Sequence, residues 1–268
     1  MTKPSWQDFG TFDESAVPEL WDGVVGAWAP CLGPTGSRLH DMSRRSNWGT
    51  LTNMDNAMDW VGSNGQYSLD IFDNQYVDAG TLQGEPLSGP FSMSCWVRNM
   101  TSSGPDFAPF AKITIDDAYQ GAMLWCANPT SSLIAYWRGG SRATGATTVT
   151  NRTTWTLLGI CWTGAQAQVI VDGRIDGTAA TDTAPAAGAS PLSIGRYAAS
   201  SNRSMRGQAD DCIIWRRCLS PNEWRQLYQL GRGGMYQRRR RRAIYLPQAG
   251  FQAAWARGSN VMLGFNQP

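Results

Sequence analysis

An all-β protein is what this sequence predicts, with one short helix near its C-terminal end. Three observations carry that prediction. The 268 residues include 29 Gly, 14 Pro and 13 Trp. That mixture suits many short strands joined by tight turns around an aromatic core. Charged residues make up only 16% of the chain, with four Glu and two Lys, whereas long exposed helices draw heavily on both. Finally, Phe91-Ser92-Met93-Ser94-Cys95-Trp96-Val97-Arg98 alternates with period two, which places alternate side chains on one face of a strand. A chain of this length can bury a sizeable core as one domain.

Taken in order, residues 1–22 are polar with scattered aromatics, among them Trp6, Phe9, Phe12 and Trp21, and read as an extended N-terminal arm. Val24 to Trp28 forms the first strand. Residues 32–47 are rich in turn formers, and strands follow at 49–53, 58–61, 67–73 and 75–78. After the alternating segment at 91–98, further strands fall at 107–113, 122–126 and 133–138, the last closed by Gly139-Gly140. Trp155 to Trp162 pairs with Ala167 to Val171 across Thr163-Gly164-Ala165-Gln166, a linker short enough for a hairpin. Asp172-Gly173 supplies the next turn, and Pro191 to Gly195 another strand.

The closing stretch is the densest in local signals. Asp211-Cys212-Ile213-Ile214-Trp215 is an apolar strand introduced by Gly207. Ser220 then offers an N-cap, Pro221 the first helical position and Glu223 the third residue after the cap. That spacing makes a capping box, in which side-chain oxygens satisfy N–H groups that have no intrahelical partner. Leu219 and Trp224 stand at the positions of a hydrophobic staple, and Gly231 at a C-terminal stop.

These residues resemble the laminin G-like, concanavalin A-like lectin/glucanase superfamily. The resemblance rests on a series of motifs: Gly23, Trp28, Asp41, Ser43, Asn47, Gly49 and Leu51; the Phe91–Val97 strand; the Asp172-Gly173 turn after a hydrophobic strand; Leu192-Ser193-Ile194-Gly195; Gly207 with Asp210-Asp211; and Leu219-Ser220 with Glu223. The matches run in order from Gly23 to Tyr228. One family motif is altered, since Phe72-Asp73-Asn74-Gln75-Tyr76-Val77 lacks its central glycine and acids. The fold implied is a two-sheet antiparallel jelly-roll sandwich, concanavalin A-like, over residues 23–231, with most Trp side chains between the sheets. The helix is expected at an edge or end of the sandwich.

The resemblance also implies ligands to test. Many relatives bind calcium with Asp and backbone carbonyls, and the ion takes six to eight oxygens. The calcium candidates are Asp116, Asp117, Asp210 and Asp211; the competing reading has such acids capping turns or pairing with Arg216 and Arg217. Candidates for glycan contact are Tyr119, Trp137 and Tyr197, which lie near turns. Sugar hydrolysis needs two carboxylates facing across the substrate. The acidic strand motif of the glycosidases with this fold does not occur here, and His40 is the sole histidine. The chain therefore reads as a non-enzyme, with no catalytic residues and no cofactor beyond the calcium candidates.

Charge is divided unevenly. From Arg232 onward there are seven Arg and no acid, so the preceding residues hold 16 of the 23 basic and all 21 acidic residues and sum to about −5. Residues 232–268 read as an Arg-rich anchoring tail, with Arg238, Arg239, Arg240, Arg241, Arg242, Tyr245 and Trp255 as partner contacts. A nucleic-acid partner is the alternative, because arginine neutralises phosphate, but the apolar stretches between the basic ones favour a protein surface. The six cysteines form no C-x-x-C pair and read as buried reduced thiols, with disulfides the alternative. Neither a signal peptide nor a membrane-spanning run is visible.

The last 50 or so residues also resemble the ends of structural proteins of environmental bacteriophages, in which an Arg-rich stretch and a Tyr-Leu-Pro segment follow the helix. What this implies is a virion protein assembled in the host cytoplasm, either a capsid decoration protein or a tail or fibre protein. It would be held to other virion proteins by its terminal arms, with a cell-surface glycan and a second copy of itself as further partners. A soluble carbohydrate-binding lectin module is the alternative, and a glycan hydrolase comes third.

Overall fold

The computed structural model describes residues 17–84, 87, 89–102, 106–113, 121–127, 132–137, 140–181, 185, 191–196 and 204–236. In chain order the strands are β1 (Val24–Trp28), β2 (Arg38–Leu39), β3 (Gly49–Thr52), β4 (Trp60–Ser63), β5 (Gln66–Ile71) and β6 (Tyr76–Gly80). Then come β7 (Phe91–Ser102), β8 (Asp106–Ile113), β9 (Gly121–Ala127), β10 (Ser132–Trp137), β11 (Gly140–Thr148) and β12 (Thr156–Trp162). The last five are β13 (Gln166–Val171), β14 (Arg174–Ile175), β15 (Ala180–Thr181), β16 (Leu192–Ile194) and β17 (Met205–Trp215). Two helices flank them, α1 (Pro18–Trp21) and α2 (Pro221–Leu230).

The strands form two sheets. One has nine strands in the order β14-β13-β12-β7-β17-β5-β4, with β1 also on β17 and β15 also on β13. The other has eight, ordered β11-β10-β9-β8-β16-β6-β3-β2. Every pairing is antiparallel. The jelly-roll expectation holds, and the hairpin expected at 155–171 forms as β12 against β13. The Asp172-Gly173 turn has φ of 50° and 75°, the left-handed pair that suits a two-residue hairpin. Strand β11 was missed, because Gly140-Ser141-Arg142-Ala143-Thr144-Gly145 has neither alternation nor bulk.

Alternation fills the space between the sheets. Phe91, Met93, Cys95 and Val97 of β7 face inward, as do Leu158, Ile160 and Trp162 of β12, against Leu124, Cys126, Ala135 and Trp137 of the other sheet. Trp137, expected as a glycan contact, is fully buried in this core with its ring edge-on to Phe91 at 5.7 Å. A turn-proximal position did not keep it at the surface, because the register of β10 turns its side chain inward.

The nine-stranded sheet is covered on its outer face as well. Leu157, Cys161, Ile213 and Trp215 point outward into a second core with Leu20, Leu219, Trp224, Leu227, Met235 and Tyr236. Helix α2 supplies the centre of that layer, so it covers a sheet face and not the edge or end that was expected. The approach is close: a Cβ at Gly159 would sit 2.7 Å from the Trp224 ring. The capping box forms as read, Ser220 accepting from the Glu223 N–H and Glu223 from the Ser220 N–H.

Residues 17–22 and 232–236, assigned from sequence to the arm and the tail, pack into this second core, with Leu20 fully buried and Tyr236 nearly so. The folded unit therefore extends at least from Val17 to Tyr236. Among the described residues no helix is long and apolar enough to cross a membrane.

Candidate functional site

Two places concentrate polar chemistry, one closed and one open. The closed one begins at a bulge in β17. Register with β7 runs Asp210 to Trp96 and then Ile213 to Ser94. Asp211 and Cys212 thus oppose the single residue Cys95. Asp211 takes a positive φ of 41° there, and the extra residue shifts which side chains face the core. Asp210 and Asp211 become buried, at 0% and 4% exposure.

Every carboxylate oxygen of this pair accepts a hydrogen bond. Asp210 Oδ1 receives the N–H groups of Cys31 and Asp211, each at 2.9 Å, and Oδ2 receives Arg232 Nη1 at 2.9 Å. Asp211 Oδ1 receives the Cys31 thiol at 3.1 Å, and Oδ2 the Gly233 N–H. Arg232 also donates to Gln66 Oε1 and to the Tyr67 carbonyl, and lies 3.9 Å over the Trp155 ring. Burial pushes the Asp211 carboxyl up to about 6, with the Gly233 N–H and the Cys31 thiol opposing it. Burial and the adjacent Asp211 raise Asp210 as well, with Arg232 pulling the other way.

Cys31, Asp210 and Asp211 place ligand atoms within 4.8 Å of one another. The donor set does not fit calcium. The ion needs six to eight oxygens, while here the oxygens are engaged by N–H and S–H donors, a guanidinium stands beside them and the third group is a thiol. Asp210 and Asp211 are thus corrected from metal candidates to a structural lock. Their cation is Arg232, whereas Arg217 binds Glu223 at 2.7 Å and the Asp22 carbonyl at 2.8 Å.

The lock ties down one end of the described body, and a second set of bonds places its other end beside it. Trp215 Nε1 donates to the Leu20 carbonyl at 2.7 Å, and Gln226 Nε2 to Glu19 Oε1 at 2.5 Å. The Trp21 and Tyr236 rings meet edge to face at 5.7 Å. Both ends of the described body therefore lie on the same patch.

The open place is built by the loop after β2. Asp41 Oδ1 accepts from the N–H groups of Ala27 and Ser43, and Oδ2 from Ser43 Oγ and the Asn47 N–H. Asn47 is held further by Val25, Trp28 and Gln83. The motif residues Asp41, Ser43 and Asn47 thus fold a tight loop, with Arg44 and Ser46 at positive φ. The loop delivers Trp48 to the surface at 45% exposure. Trp48 stacks on His40 at 5.0 Å, and the Arg38 guanidinium lies 5.6 Å from its ring centroid. Burial and the Arg38 charge lower the His40 pKa. Beside the ring runs a groove of about 300 Å³ with Arg38, Asn47, Thr50, Thr81 and Gln83. Sequence reasoning passed over Trp48; its place one residue after the motif Asn47 was the available signal.

The remaining sequence candidates, Asp116, Asp117, Tyr119, Tyr197, Arg238 to Arg242, Tyr245 and Trp255, lie outside the described residues.

Two facing antiparallel sheets with jelly-roll order define the class as a lectin-like β-sandwich. The chain belongs to the concanavalin A-like lectin/glucanase superfamily, whose laminin G-like family profile matches residues 72–223. No curated protein matches the sequence. Among solved structures, a Trypanosoma rangeli sialidase bound to 2,3-difluorosialic acid is similar with a TM-score of 0.58 and 12% identity, over 78% of this chain and 33% of that one. The chain thus spans about a third of the sialidase. Domain 4 of an extracellular arabinanase from Geobacillus stearothermophilus, in complex with arabinotriose, gives 0.59 and 14% over 77% of this chain and 98% of the domain. The binding domain of Paraclostridial mosquitocidal protein 1 gives 0.57 and 14%, over 78% and 52%. At these identities the likeness is one of fold.

Proposed function

We propose that this chain is a non-enzymatic structural protein of a bacteriophage virion, displaying its jelly roll from the particle and held there by its terminal segments. The observation that carries this reading is the shared patch. Trp21 meets Tyr236 on the outer face of the nine-stranded sheet, where Leu20 also packs, so residues 1–16 and 237–268 are joined to the described body at one patch, and in this reading both grip one partner surface. Their sequences suit that role, the second carrying six Arg and no acid. Arg238, Arg239, Arg240, Arg241, Arg242, Tyr245 and Trp255 are the anchoring residues in this reading. The virion setting itself rests on the resemblance of the C-terminal stretch.

The non-catalytic part of the reading has its own support. Asp210 and Asp211 are buried with every oxygen engaged, and Glu223 is committed to the α2 cap and to Arg217. None of them can face a sugar.

Mass spectrometry of density-purified particles tests the proposal. Hundreds of copies per particle are expected for a capsid decoration protein, and a few to a few dozen for a tail or fibre protein. Removal of residues 237–268 should abolish incorporation while leaving a folded domain. Absence from particles overturns the reading.

A second reading, a soluble saccharide-binding module, is favoured by one observation, the exposed Trp48 beside a polar groove. An indole face with neighbouring hydrogen-bonding groups suits a sugar ring. Saccharide binding lost in Trp48→Ala, by a chain absent from particles, would move this reading to first place.

A further inference from the structure

Two pairs of cysteines approach closely on the nine-stranded sheet. Cys95 of β7 and Cys212 of β17 have their Sγ atoms 3.0 Å apart, brought together by the bulge at Asp211. Cys161 of β12 and Cys218, in the segment between β17 and α2, have theirs at 2.8 Å. All six cysteines are free thiols. Both separations are shorter than ordinary sulfur packing and leave little backbone movement for a bond, whose length is about 2.05 Å.

Accessibility separates the pairs. Cys95 and Cys212 are 0% and 1% exposed inside the sandwich core. Cys161 is buried on the outer face of the sheet, but Cys218 is partly exposed. The Cys218 thiol is also the one primed to react. Its hydrogen bond with Cys161, a contact with Ser92 and the nearby Arg217 charge hold its pKa below the usual thiol value, against the effect of burial. Attack on a disulfide requires a thiolate that the reagent can reach.

We propose that Cys161 and Cys218 form an oxidisable site, a disulfide clamp that closes in the folded protein on meeting a low-molecular-weight disulfide such as oxidised glutathione. The Cys218 thiolate, its proton released to solvent, attacks one glutathione sulfur. A mixed disulfide forms, and one glutathione thiolate leaves and takes up a proton. Cys161 then attacks Cys218 Sγ, and its proton goes to the second departing glutathione. Two protein thiols are oxidised by two electrons, and one oxidised glutathione is reduced to two thiols. The clamp joins β12 to the segment that leads into α2, so it fastens the layer carrying both ends of the described body to the sheet. Cys95 and Cys212, equally close but sealed from solvent, stay reduced under the same exposure. The inference is independent of the virion reading.

The test uses the folded, fully reduced full-length chain incubated with oxidised glutathione, acid-quenched, denatured and alkylated with N-ethylmaleimide. Intact mass should show four alkylated cysteines of the six, and non-reducing peptide mapping a Cys161–Cys218 link. The oxidised form should melt about 5–10 °C higher than the reduced one, and reduction should remove the gain. Cys161→Ser should trap one glutathione on Cys218, and Cys218→Ser should keep all remaining thiols reactive. Six alkylated cysteines, a glutathione adduct that never resolves in the unaltered chain, or a Cys95–Cys212 link formed first would each overturn the proposal.

Discussion

The bulge at Asp210-Asp211 and the loop at Asp41 are both family-motif acids that collect backbone N–H groups, yet they end in opposite states. At the bulge the carboxylates are sealed under Arg232 and the turn at Gly233, and nothing is left over for a ligand. At Asp41 one carboxylate accepts four donors, three from Ser43 and Asn47 of its own loop and one from Ala27 of β1, and thereby turns Trp48 outward. The difference lies in where each sits. Asp210 and Asp211 lie mid-strand, where a buried acid must find a cation and donors from distant chain. Asp41 lies in the loop after β2, where most of its donors come from the turn itself, Ala27 of β1 supplies the other, and Trp48 beyond the turn stays exposed.

Several substitutions would break or sharpen that contrast. Arg232→Ala leaves two buried carboxylates without their cation and should cost about 3–5 kcal/mol in chemical denaturation. It should also free the segment ending at Tyr236 for early proteolysis. Asp41→Ala removes an acceptor shared by four donors and should cost about 2–3 kcal/mol, with loss of the groove. A small effect at Arg232 beside a large one at Asp41 would reverse the assignment of lock and loop.

Acid should act in opposite senses on the closed site and on groups outside it. Asp211 is raised from 3.8 to about 6 when folded, so folding favours its protonated form. The contribution is fully present below the unfolded value and is lost as pH rises through about 6. Stability should therefore rise by roughly 1–3 kcal/mol between pH 8 and pH 5. Glu223 sets the lower bound: burial opposes its ionisation, but Arg217 and Ser220 hold its carboxyl below the usual value, so its contribution fades as pH falls further. A thermal-melt series across this range, repeated in Asp211→Asn, should show a shallower slope once the aspartate is gone.

The smallest expected effect is Trp48→Ala. The ring is half out of the fold, so stability should change by less than about 0.5 kcal/mol. Any saccharide binding should go with it, measured by titration against a glycan panel. A large loss of stability would instead make Trp48 part of the packing.

Much of the fold was legible in the residues. The period-two runs gave the long strands, and Ser220, Pro221, Glu223 and Gly231 marked α2 to its ends, because capping is a local matter. The site was far less so. Cys31 and Asp210 are 179 positions apart, and nothing in either segment announces the other. Trp137 and Trp48 both stand near turns, and only the register of β10 and the Asp41 loop send one inward and the other out. Arg232 looked like the first residue of a basic tail, but burial beside Asp210 makes it the last cation of the body.

By itself, then, the sequence determined the β class, the capped helix and the family motifs, all of which depend on residues a few positions apart. The tertiary structure decided that α2 covers a sheet face, that the two ends of the described body meet on one patch, and that a bulge seals two acids while setting Cys212 against Cys95. Those outcomes depend on pairing between strands far apart in the chain. There a one-residue change of register exchanges the buried side chains for the exposed ones.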